Sequence, residues 1–148
     1  MSWFSRHAES IEAGAAMVTA LVATAALIGV KLQLDAADRV QQSQSARDAY
    51  RSHLALAVTH PQYAEPPAIC DQLEAPDRAA YVAFVGHLMY SAEQMLRVES
   101  GWDTTFLEHL APHTGYICSD DGPVGDTEET VRLLAQFRGL FCAEATPC

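Results

Sequence analysis

Three groups of side chains in this sequence have the types and spacing to do chemistry. His109 and His113 stand four residues apart with Glu108 beside them, so on a continuous helix they would share a face and could hold a transition metal. Pro112 falls between them and disrupts that geometry unless the helix continues kinked, and no third ligand is assigned by spacing. The run SDDGPVGDTEE, Ser119 to Glu129, gathers Asp120, Asp121, Asp126, Glu128 and Glu129, which could attract calcium. It lacks the alternating oxygen ligands and closing Glu of an EF-hand loop. A solvated loop leading into an acidic helix N-terminus explains the same residues. Cys118 with His113 suggests a thiol nucleophile, yet nothing marks a third group to orient the imidazole, and a structural disulfide suits that cysteine better.

Cys70, Cys118, Cys142 and Cys148 make an even set without a C-x-x-C pair, which weakens zinc-ribbon and thioredoxin-like readings. Two disulfides in an oxidising compartment would tie loops and tail to the helices, and all three pairings are open at this level. Glycine-rich phosphate loops, a nucleophile elbow and paired carboxylates on an apolar helix face are absent from the sequence. The expectation is therefore a non-enzyme without a cofactor, with a thiol-active enzyme as the weakest alternative. His53 and His87 lie within or beside apolar stripes, and each reads as a buried or half-buried imidazole with one hydrogen-bond partner.

The elements that must position these groups begin with Ala13 to Val30, an uncharged run of eighteen residues between Glu12 and Lys31. A helix of that length nearly crosses a bilayer core. The flank MSWFSRHAESIE has one Arg and two Glu where a signal peptide would be basic, so an uncleaved transmembrane helix over 13–34 is expected after a short flank, 1–12. Ala16, Ala20 and Thr24 recur every four residues, as do Ala25 and Gly29, and such small side chains let a second helix approach closely in lipid.

Residues 35–60 predict a stalk that becomes the first bundle helix, with Ala46, Tyr50, His53, Leu54, Ala57 and Val58 as its apolar stripe and Pro61 as its stop. The rest, 61–148, reads as a loop with at most one helical turn, then a helix capped by Asp77. That helix carries Tyr81, Phe84, Val85, Leu88, Ala92 and Met95 on one face and ends at Gly101. Trp102, Phe106 and Leu110 predict a short helix, HTGYICSDDGPVGD a loop, and Asp126 with Glu129 a capping box. The last helix would turn Leu133, Leu134, Phe137, Leu140 and Phe141 to the core. No segment alternates with period two. The fold class is all-α: one transmembrane helix running into a stalk, then a small bundle of three to four helices, with a single core of about 110 residues.

Taken together, ESIEAGAAMVTALVATAALIGVKLQLDAADRVQQSQSARDAY, the helix stop in HLALAVTHPQYAEP and the spacing to Trp102 resemble a group of uncharacterised bacterial single-span membrane proteins with a small C-terminal helical domain. The resemblance implies an inner-membrane anchored helical bundle and no activity. This chain departs from the group's pattern in its four cysteines.

A formal charge of −10 disfavours nucleic acid and anionic lipid surfaces as partners. Arg6 precedes the span while Lys31, Arg39 and Arg47 follow it, which favours a cytoplasmic bundle, whereas the cysteines favour the periplasm. We take the periplasmic side as the expectation. The functional expectation is an accessory or scaffold protein whose partners are the bilayer and another membrane protein or a second copy of itself. The alternative is a ligand- or metal-binding sensor using the acidic 119–129 loop or His109 and His113.

Overall fold

A computed structural model describes the backbone of residues 3–66 and 75–143, and the side chains of 14–66 and 77–143. Helix α1 spans Trp3–Thr59, α2 Pro61–Ala64, α3 Ala75–Val98, α4 Asp103–Leu110, α5 Thr114–Ile117 and α6 Glu128–Phe141, with a 3-10 turn at Ala111–His113. No strand occurs among the described residues, and the all-α class stands.

The chain divides into two compact units, Met1–Gln41 and Gln42–Cys148, with the boundary inside α1. In the first unit the two hydroxyls of the apolar run are satisfied by their own helix: Thr19 donates to the Ala15 carbonyl at 2.9 Å and Thr24 to that of Ala20 at 2.8 Å. This is what a spanning helix needs, since lipid offers no hydrogen-bond partner. The helix is long and apolar enough to cross a membrane.

In the second unit α1 stops at Thr59 because Pro61 follows. His60 leaves helical geometry at φ −130°, ψ 63°, and Pro61 then opens α2 at a position whose N–H would go unused. Helix α3 supplies the centre of the core. Tyr81, Phe84, Val85, Leu88, Ala92 and Met95 are all buried, as their spacing predicts. Leu88, Ala92 and Met95 share one cluster with Ala46 of α1, Phe106 and Leu110 of α4, Ile117 of α5 and Leu133, Leu134 and Phe137 of α6, while Tyr81, Phe84 and Val85 form a second with Leu56, Ala57, Tyr63 and Tyr116. Small residues set the α1–α3 contact: Ala46, Ser91 and Ala92 are buried, and the Ser91 hydroxyl donates to the Ala49 carbonyl of α1 at 3.1 Å and to that of His87 at 2.9 Å.

Several sequence expectations need correction. Asp77 does not cap α3, which begins two residues earlier, because Pro76 fits a first helical turn where its missing N–H costs nothing. Asp77 instead sits in that turn and accepts from the Tyr63 hydroxyl at 3.4 Å. The segment after Pro112 is not all loop, since Thr114–Ile117 forms another helical turn and buries Ile117. The last helix is capped one residue later than expected. The Thr127 hydroxyl accepts from the Thr130 N–H while the Thr127 N–H donates to the Thr130 hydroxyl, so Asp126 and Glu129 are not the box. Leu54 and Val58 are exposed, 37 and 83 %, because they lie a residue round α1 from His53 and Ala57, whereas Leu140 and Phe141, 62 and 38 % exposed, share the face of Leu133, Leu134 and Phe137 but sit at the end of α6, past the neighbours that cover it.

Candidate functional site

The histidines come together in a way their sequence positions do not announce. Four segments bring His53 (α1), His87 (α3), His109 (α4) and His113 (the 3-10 turn) to one seam of the helical domain. The His53 ring lies 4.8 Å from Phe84, 5.8 Å from His87 and 6.4 Å from His109, centre to centre. Phe84 also reaches His113, at 6.0 Å, so one phenyl ring separates the two most buried imidazoles. His53 and His113 are each 2 % exposed.

Their hydrogen bonding is uneven. Tyr81 Oη lies 3.0 Å from His113 Nδ1, and Tyr50 Oη 2.8 Å from His109 Nε2, so each tyrosine ties an imidazole to another helix. Among the described residues the Nδ1 atoms of His53 and His87 are buried without a partner, so neither ring gains from Nδ1 the hydrogen bond expected of it. Burial holds His53 down to about 4, helped by the nearby His87 and His109; burial likewise holds His113 to about 4, helped by His53 and His109. Both rings are neutral near pH 7. Burial pushes the Tyr50 and Tyr81 hydroxyls upward, which keeps them protonated.

His109 and His113 therefore do not form a shared ligand pair, since each turns a nitrogen to its own tyrosine. Among the described residues no three His, Cys, Asp or Glu side chains converge in a metal-holding group. In the acidic loop Asp120, Asp121 and Asp126 are exposed, and Asp121 pairs with Arg78 at 3.4 Å.

What shapes that loop is a clamp that the sequence did not reveal. Arg138 of α6 donates from Nη2 to the Pro123 carbonyl at 2.6 Å and from Nε to the Ile117 carbonyl at 3.4 Å. A disulfide joins Cys118, just after α5, to Cys142, just after α6, with Cα atoms 5.5 Å apart. Gly125 takes φ +86°, and a Cβ there would meet the Val131 nitrogen at 2.9 Å, so the loop re-enters α6 at a position built for glycine. Cys70 and Cys148 lie outside the described residues.

On the apolar run Ala16, Ala20, Thr24 and Ala25 are exposed and Gly29 half-exposed, with nothing within 4 Å of a Cβ built on Gly29. At about 100° per residue, the Ala16–Ala20–Thr24 ladder and the Ala25–Gly29 pair point about 160° apart. They are two surfaces. Trp102 is partly buried against the core and meets Tyr50 edge-on at 5.2 Å. No protein-family model, curated protein or solved structure matches this chain.

Proposed function

We propose that this protein is a membrane-anchored, non-enzymatic accessory or scaffold protein. It holds a small helical domain at the surface of a bacterial inner membrane and engages membrane partners through its single span. One observation carries the reading: the uncharged run of α1 has no buried side chain within the described chain, with Met17, Leu21 and Leu27 69, 69 and 72 % exposed. Apolar surface of that extent requires lipid or protein around it. The Cys118–Cys142 disulfide favours an oxidising compartment, and with it the periplasmic side.

Small residues on both sides of the span suit close helix packing, and their opposed directions allow two neighbours at once, a second copy or a different protein. The test is purification in mild detergent of wild type, Ala20→Leu and Gly29→Leu. Loss of a co-purifying chain or of oligomers in either variant supports the reading. Unchanged partners and oligomeric state in both would remove the intramembrane role. Reporter fusions at the C-terminus that are active only in the periplasm test the orientation.

A further inference from the structure

We propose that the histidine seam between residues 46–57 of α1 and helices α3 and α4 is a proton-operated latch, closed while His53 and His113 are neutral and opened when they are protonated. The geometry has three parts. First, the imidazoles come from separate segments and surround Phe84, so charge placed on them pushes helices apart and cannot be relieved by one side chain swinging outward. Second, nothing is in place to accept the charge. Among the described residues the Nδ1 atoms of His53 and His87 have no partner, and the Nδ1 of His113 meets only an uncharged tyrosine hydroxyl.

Third, among the described residues no carboxylate pairs with the imidazoles of the seam. The ionisable groups facing it include Tyr50 from α1, His60 after it, Tyr81 and His87 from α3, His109 from α4, Tyr116 from α5 and Tyr63 from α2, whose hydroxyl donates outward to Asp77 at 3.4 Å. Burial and the neighbouring histidines both hold His53 and His113 toward the neutral form. The carboxylates Glu93, Glu99, Asp103 and Asp121 pair with arginines. Protons nevertheless have a way in. His87 is half-buried and lines an open groove of about 430 Å³ with Leu56, His60, Tyr63 and Phe84, so water reaches the ring next to His53.

The direction follows from proton linkage. His53 and His113 titrate near 4 in the closed bundle and near 6.5 once released, so the open form binds more protons between those values. The closed form is fully favoured above pH 6.5 and loses ground as the pH falls toward 4. Each imidazole shifts the equilibrium by up to about 300-fold across that window. Cys118–Cys142 joins the end of α5 to the end of α6, so a latch that opens by release of α1 leaves those two helices tied together. This latch does not depend on the anchoring role proposed above.

The test uses the full chain in detergent micelles. Proton NMR of the six imidazoles in the wild type is expected to show two rings that stay neutral to below pH 5; six rings that all titrate near 6.5 overturn the proposal. Denaturant unfolding from pH 7.5 to 4.5 is expected to show that His53→Gln with His113→Gln loses at least tenfold less stability than wild type, and an unchanged acid limb overturns it. Hydrogen exchange, corrected for the intrinsic pH effect, separates latch from general acid unfolding. Protection lost first over residues 46–57 and 81–92 supports a latch, whereas simultaneous loss through 128–141 overturns it. The NMR and exchange measurements need no variant, so they decide the matter even where the double substitution fails to fold.

Discussion

Tyr50 Oη lies 2.8 Å from His109 Nε2 while the same ring meets Trp102 and Phe106 edge-on at 5.2 and 5.7 Å. One half-buried side chain thus joins α1 to α4 through a polar tip and an aromatic body. Tyr50→Phe should remove the hydrogen bond and keep the packing, costing about 1 kcal/mol in denaturant unfolding. Tyr50→Ala should cost about 3 kcal/mol, because the edge-on contacts go as well. Equal costs would show that the ring contributes nothing beyond its hydroxyl.

Peptide mapping without reduction should yield a linked pair containing Cys118 and Cys142. Opening that bond, by Cys118→Ser with Cys142→Ser, frees a loop of sequence separation 24 and should lower stability by about 3 kcal/mol. The acidic loop should become protease-sensitive in the same variant.

Thr127→Ala should cost about 1 kcal/mol, since the hydroxyl caps α6, whereas Thr127→Asp, which can accept the same bond, should cost much less. Asp126→Ala, one residue before the cap, should change thermal unfolding little. Gly125→Ala should be worse than any of these. The added methyl meets the Val131 nitrogen, and φ +86° is unfavourable for any L side chain, a combined cost above about 1 kcal/mol.

Calcium or zinc added to metal-free protein should leave the thermal midpoint unchanged, because the loop carboxylates point to solvent or to Arg78, and His109 and His113 are bonded to tyrosines. A ligand that binds only the folded state would raise the midpoint, so a concentration-dependent rise with either ion would refute this.

Patterns carried by one helix were legible in the sequence, and arrangements assembled from several were not. The stripe from Tyr81 to Met95 is buried throughout because spacing along a single helix encodes a face directly. The α6 stripe fails at Leu140 and Phe141 because neighbours cover only the part of the helix that faces the core, and α6 ends at Phe141. His53 and His87 read singly as ordinary core histidines. Their meeting with His109 and His113 depends on how α1, α3 and α4 cross, which residue spacing does not record. The same holds for Arg138: an ordinary helix-end cation in the sequence, it collects two loop carbonyls only once the chain between Ile117 and Pro123 folds back.

The arginines of the helical domain have a further effect. Arg47, Arg51, Arg78, Arg97 and Arg132 each pair with a carboxylate, and Arg138 is committed to the loop carbonyls, which accounts for every Lys and Arg after Arg39. Exposed pairs of this kind add little stability. They do leave no unengaged cation on the domain, so the remaining acids, including Asp120, Asp126, Glu128 and Glu129, dominate its outer field. A basic protein surface would be drawn toward it from beyond contact range, faster in dilute salt than in concentrated salt, and an acidic one turned away before the two touch.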